Sequence, residues 1–302
     1  MRRLAAAVCL GLVLCAASCS EKAPEGSEVR EHSSVSSTAP ENGSETEDND
    51  MSVNEKEKPE IASSSPESSE DTTKAECARF RRVCCIGDSF TAGFTFDSRG
   101  NATETNEDLA WPHYMSELTG CEYINCGKSG ATAESWLYTP RGLDKARQSG
   151  RVDAYIIGLG LNDACDDPGM RLEVGSAEDI GTETVSYYGS MSRIIREVHQ
   201  ISPDAYIFMQ TIPTGEDGTY DAKRYDPYNN AIREICAQYE KEYNTRLLDL
   251  EKFKDRYINN KVLHDNAIGG HYYPKGYREF ALLLFDIWNE YLSGHSDISV
   301  SE

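Results

Sequence analysis

Ala154–Leu159 is apolar over its whole length and too short for a helix. A strand with apolar side chains on both faces must be covered on both faces. That is the situation of a central strand in a parallel sheet. Four more short runs read as strands, at Arg82–Ile86, Glu122–Cys126, Ala205–Gln210 and Thr245–Leu248. Helical patterns lie between and after them. Asp108–Thr119 has Pro112 near its start and Gly120 just past its end, the usual asymmetry of helix termini. Thr182–Ile201 places Val185, Tyr188, Met191, Ile194, Ile195 and Val198 at helical spacing. Pro227–Tyr243 and Gly276–Leu292 complete the set. Strands alternating with helices predict a three-layer α/β/α sandwich around a parallel sheet of about five strands.

Only part of the chain belongs to that domain. Among 302 residues the hydrophobic fraction is 39%, low for a compact globule, so a segment outside the fold is expected. Residues 1–19 supply one: Arg2-Arg3 precedes an uncharged apolar run, Leu4–Ala17, with the layout of a secretory leader. It ends Ala16-Ala17-Ser18-Cys19, which resembles a bacterial lipoprotein processing box with Cys19 as the lipidated residue, although Leu is commoner at position 16. Cleavage by an ordinary signal peptidase after Ser18 is the other reading. Residues 20–75 are rich in Ser, Glu, Thr, Asn and Pro. They carry about 15 acidic against about 5 basic residues, so they are expected to form a disordered tether. Such a chain spans roughly 40 Å r.m.s.. It would hold the folded domain, residues 76–302, off a membrane surface. The net charge of −21 disfavours nucleic acid as a partner. Beyond Cys9, Cys15 and Cys19, seven cysteines remain, an odd number that leaves at least one thiol unpaired within the chain. None has the C-x-x-C spacing of a zinc site. Cys84, Cys85 and Cys126 fall in strand-like runs and read as small buried hydrophobes.

An open parallel sheet binds its ligands beyond the carboxyl ends of its strands. Ser89 follows the first strand in Gly87-Asp88-Ser89, and Gly130 follows the second in the run Asn125–Thr132. Asn162 follows the third in Gly160-Leu161-Asn162-Asp163, and His271 stands just before the last helix. Singly, each has an ordinary structural explanation: turn residues, an Asx cap, a packed histidine. Together they place a nucleophile, oxyanion donors and a base at one edge of one sheet.

These four blocks, in this order, resemble the SGNH hydrolase superfamily of GDSL-type esterases and lipases, over about Arg82–Leu292. The resemblance implies a flavodoxin-like fold. It also implies a nucleophilic Ser89, a general base His271, and an oxyanion hole formed by the Ser89 and Gly130 N–H groups and the Asn162 side-chain amide. It implies no cofactor or metal. The family often has an Asp three residues before the His, where this chain has Ile268. Three arrangements stay open: Asp265 curls back to orient His271, a backbone carbonyl near Ile268 does so, or His264 is the base.

The expected activity is an exported serine esterase acting on acetyl or other short acyl esters, with O-acetylated glycans as the natural polymer. Trp136, Tyr138, Tyr272 and Tyr273 are candidates for lining a sugar site. A lysophospholipase-like lipid deacylase and a non-catalytic surface glycan-binding lipoprotein are the alternatives. The partners expected are a small-molecule or glycan ester and, through Cys19, the membrane.

Overall fold

The computed structural model describes residues 75–300 apart from 98, 104 and 214–221. The expected leader with Cys19 and, but for Ala75, the acidic tether lie outside the described residues.

The elements follow in chain order as β1 (Arg82–Gly87), α1 (Ser89–Ala92), α2 (Trp111–Thr119), β2 (Glu122–Gly127), α3 (Ala133–Trp136), α4 (Leu143–Ser149) and β3 (Ala154–Gly158). Then come α5 (Tyr187–Ile201), β4 (Tyr206–Gln210), α6 (Ala222–Tyr239), β5 (Thr245–Leu248), α7 (Lys254–Ile258) and α8 (Lys261–Asp265). A small hairpin, β6 (Ala267–Ile268) and β7 (His271–Tyr272), leads into α9 (Pro274–Ser293). Five strands form one parallel sheet in the order β2-β1-β3-β4-β5. The predicted parallel α/β fold is therefore the one adopted. In this strand order the chain reverses direction between β1 and β3, which opens a ligand crevice at their carboxyl ends.

Alternation along the buried strands divides the core. Cys84, Ile86, Tyr155, Ile157, Ile207 and Met209 face one layer with α3 to α6. Val83, Cys85, Ala154, Ile156 and Phe208 face the other, against α2 and α9. In that second layer Phe80 stacks on Trp288, ring centroids 5.3 Å apart, and Phe208 meets Trp288 edge-on at 5.2 Å. Cys84, Cys85 and Cys126 are buried thiols, and none of the seven cysteines among the described residues forms a disulfide. Burial pushes the thiols of Cys77 and Cys236 up to about 12, which makes them poor nucleophiles at neutral pH.

Two helices differ most from their sequence expectations. The helix expected from Thr182 starts at Tyr187, because the Ser186 hydroxyl accepts from Gly189 N–H and caps it there. Val185 consequently sits in the preceding loop, 63% exposed. The helix expected to begin at Pro227 already runs from Ala222, with Pro227 inside it. The proline removes one backbone bond, and buried neighbours hold the turn. The Asn229 side chain bonds both N–H and C=O of Ile212, while the Tyr228 hydroxyl donates to the carbonyls of Asp163 and Leu172.

Candidate active site

Ser89 is the first residue of α1, directly beyond β1. The Asp88 side chain accepts from Phe90 N–H at 2.9 Å and caps the turn, so the position of Ser89 is set by a part-buried hydrogen bond. Asn125 braces the same turn from β2: its amide donates to the Thr91 carbonyl at 2.6 Å while its oxygen accepts from Gly127 N–H. A side chain at Gly127 would fall 2.4 Å from Ala92 N, so only glycine allows this approach of α1 to β2.

The Ser89 Oγ lies 2.8 Å from His271 Nε2. The other ring nitrogen, Nδ1, lies 3.0 Å from the Gly269 carbonyl. A carbonyl only accepts, so this contact places the ring proton on Nδ1 and leaves Nε2 free to accept from the serine. Burial holds His271 below the ordinary histidine value, and the Gly269 contact opposes this more weakly. A neutral imidazole bonded to a serine hydroxyl is an arrangement that can take up the serine's proton.

His271 sits on the two-stranded hairpin, with Ile268 paired to it across a two-residue turn. Gly269 (φ +53) and Gly270 (φ +77) both take left-handed backbone, as a type I′ turn requires. The imidazole packs against Phe94, centroids 4.7 Å apart, and more loosely against Phe96. Two hydrogen bonds tie the hairpin region to the segment after α1: Thr95 Oγ1 donates to the Tyr272 carbonyl, and Tyr277 Oη donates to the Phe94 carbonyl.

The structure thus separates the three arrangements that the sequence left open. Asp265 does not reach the His271 ring. It ends α8 and pairs with Lys261 at 2.5 Å, an i,i+4 pair on the surface. His264 bonds the Ile258 carbonyl through Nε2. Nδ1 of His271 is held by a backbone carbonyl, that of Gly269, the residue after Ile268.

In the loop after β2, Gly130 has φ +72 in a turn closed by Ala131 N–H to the Lys128 carbonyl. Asn162 donates one amide N–H to the Ala131 carbonyl at 2.9 Å, which joins the loops after β2 and β3. Asp163, fully buried, accepts from Ala133 N–H at 2.9 Å and fixes the same loop from beneath. Burial pushes both Asp88 and Asp163 up to about 7, and for Asp163 the Asp88 charge adds to it. Asp163 is a site residue that the sequence reading passed over. Its signal was its place beside Asn162 at a strand end.

A chamber of about 350 Å³ opens next to the Ser89–His271 pair. Asp88 and Phe90, the two neighbours of Ser89, line it together with Gly270 and His271. Trp111, Leu263 and Phe280 carry it back between the sheet edge and the helical layer. Of the four aromatics expected near a sugar, Trp136 is fully buried with its indole on the Cys126 carbonyl, which makes it a packing residue. Tyr272 lines the chamber, and Tyr138 is 62% exposed with Arg193 over its ring. Tyr273 is the N-cap residue of α9.

Comparison with known proteins gives a family match over this part of the chain. Residues 85–279 match the model of the GDSL-like lipase/acylhydrolase family, which takes in Ser89, Gly130, Asn162 and His271. No curated protein matches significantly. Among solved structures, an active-site mutant of a family two carbohydrate esterase from Clostridium thermocellum is similar with TM-score 0.50 and 13% identity, over 72% of this chain and 64% of that one. A family two carbohydrate esterase from Corynascus thermopiles (Myceliophthora fergusii) gives 0.48 and 17%, over 71% and 66%. A possible lipase from Chitinophaga pinensis gives 0.46 and 20%, over 70% and 98%. The chain thus spans about two thirds of the length of these carbohydrate esterases, and identity this low speaks to fold alone. The family match covers well over half the chain, and on it the chain belongs to the GDSL-like lipase/acylhydrolase family, the SGNH-type ester hydrolases.

Proposed function

We propose that this ester hydrolase works through an acyl-serine intermediate, with Ser89 as nucleophile and His271 as general base in a dyad oriented by the Gly269 carbonyl. The observation that carries the reading is the 2.8 Å contact between Ser89 Oγ and His271 Nε2. Ser89 Oγ attacks the ester carbonyl as its proton passes to Nε2. The imidazolium then protonates the departing alkoxide as the carbon–oxygen bond breaks. Water, deprotonated by the same nitrogen, attacks the acyl-serine, and the proton returns to Ser89 as the acid leaves.

The developing oxyanion is held by three donors. Ser89 N–H is the first of a helix and has no partner within it. Gly130 N–H sits in the left-handed turn. Asn162 carries a second amide proton beyond the one bonded to Ala131. Each donor contributes roughly 3 to 4 kcal/mol of transition-state stabilisation.

For the alcohol, the reading is a carbohydrate. A family two carbohydrate esterase shares the fold at TM-score 0.50, and the leader-like residues 1–19 suit an enzyme outside the cytoplasm, held to the membrane through lipid on Cys19. The test compares the protein with Ser89→Ala on p-nitrophenyl acetate and on acetylated xylan, with intact-mass detection of the acyl-serine. Equal rates for the two proteins sink the nucleophile assignment. Ser89-dependent turnover of the nitrophenyl ester but not of xylan removes the acetylated polymer. In cells, Cys19→Ser releases the protein from the membrane fraction. Continued retention rules out a lipid at that residue.

A further inference from the structure

Met170 stands beside Gly130. A methyl group built on that glycine would lie 3.8 Å from Met170 Cε, with no other atom outside the adjoining residues within 4 Å. The segment that carries Met170 is tied back to the loop after β3. Leu172 N–H donates to the Asp163 carbonyl at 3.0 Å, and the Tyr228 hydroxyl donates to the Leu172 carbonyl at 2.7 Å. The N–H groups of Met170 and Arg171 both donate to the Asp167 carbonyl. The backbone that presents the thioether is thus fixed to the same loop as Asn162.

Four methionines fall among the described residues. Met115, Met191 and Met209 are at most 1% exposed, whereas Met170 is half-buried. It is therefore the one of the four that a dissolved oxidant reaches from solvent. Oxidation converts a flexible apolar thioether into a polar group with an acceptor oxygen. Gly130 is exposed, and its N–H donates to no group among the described residues. A sulfoxide oxygen formed at this place finds that donor unoccupied.

We propose that Met170 is a modification site: hydrogen peroxide oxidises its thioether, and the resulting sulfoxide accepts from Gly130 N–H and turns hydrolysis down. The sulfur lone pair attacks one peroxide oxygen. The O–O bond breaks, the S–O bond forms and water leaves, so the sulfur loses two electrons and the peroxide gains them. The new oxygen then competes with the developing oxyanion of the ester for the same donor. The proposal rests on the reading of Gly130 as an oxyanion donor given above.

The test treats the whole protein with graded doses of hydrogen peroxide, locates oxidised methionines by peptide mass, and measures kcat/KM on p-nitrophenyl acetate. Met170 is expected to gain one oxygen before Met115, Met191 or Met209. In step with it, kcat/KM falls by about tenfold or more, up to the loss expected for one missing oxyanion donor. A methionine sulfoxide reductase supplied with a dithiol restores the rate. Met170→Leu, referred to its own untreated rate, keeps its activity over the same doses. Met51, outside the described residues, and the half-buried thiols of Cys121 and Cys165 remain in that variant. A loss that persists in it runs through them and overturns the proposal. Oxidised Met170 with an unchanged rate, or earlier reaction of the buried methionines, overturns it too. If the untreated protein shows no Ser89-dependent turnover, the esterase reading fails. The Gly130 amide signal of Ser89→Ala, followed by NMR before and after peroxide, then decides the site: it moves if the sulfoxide takes that N–H, and an unmoved signal overturns the proposal.

Discussion

The two halves of the dyad are held in different ways. Ser89 belongs to a block of strand ends cross-tied by buried and part-buried bonds: Asp88 to Phe90, Asn125 to Thr91 and Gly127, Asn162 to Ala131, and Asp163 to Ala133. His271 belongs to a hairpin of two-residue strands that stands outside the main sheet. It is positioned by a turn, by Phe94 and Phe96, and by two hydrogen bonds to the segment after α1. Ser89 and Asn162 are therefore tied into the interlocked strand ends. The base is an attachment to them. Changes in the block should reduce stability and rate together, whereas changes in the hairpin should reduce rate with little effect on stability.

His271→Ala gives the largest effect on rate, a loss in kcat of about 10⁴ or more, with the melting temperature nearly unchanged. A fall of many degrees would show that the hairpin is part of the core and break the contrast. Asn162→Ala is next. It removes an oxyanion donor, about 10²–10³ in kcat, and the tie to Ala131, so a lower melting temperature accompanies the loss. If only the rate changes, the block is less interlocked than drawn.

The turn supplies a middle case. Gly270 has open space at its Cα, so Gly270→Ala introduces left-handed backbone strain and no clash. About tenfold in kcat is expected, with much of it restored by Gly270→Asn, since Asn tolerates this conformation. Equal losses for both would place the fault elsewhere.

The two halves also differ in pH response. His271 lies below the ordinary histidine value, so kcat/KM holds below pH 6.5 and falls only as pH drops through that lowered value. An acid limb centred above 6.5 refutes this. Asp163 is raised to about 7 in the fold, so the native state retains a proton that the unfolded chain releases near 4. Its contribution is fully present below about pH 4 and is lost as pH rises to 7. Asp163→Asn keeps an acceptor for Ala133 N–H and should flatten stability over that window in denaturant titrations. The smallest effect is that of Asp265→Ala, which leaves kcat unchanged because the carboxylate faces Lys261. A tenfold drop would return Asp265 to the relay.

The contrast also marks what the sequence made legible. The strand-end block is local chemistry: an apolar run, then Gly87-Asp88-Ser89 or Leu161-Asn162-Asp163. Its residues sit where their own strands deliver them. The hairpin was missed because two-residue strands show no alternation, although Gly269-Gly270 is a recognised two-residue turn signal. The place of Asp265, one of three arrangements the sequence left open, is set by Asn260, which caps α8 and sends the following residues into a helix that faces the carboxylate outward. The chamber was invisible for another reason: its walls run from Asp88 to Phe280 and exist only once α8 and α9 close over the sheet.

His271 precedes α9 by only three residues, and α9 carries much of the second core layer through Phe280, Leu284, Ile287 and Trp288. In a chain made from its amino end, the serine and its oxyanion donors are complete long before the base appears. The base cannot be fixed until the final helix has emerged and docked. A truncation that removes α9 is therefore expected to leave Ser89 in its turn and His271 without its support.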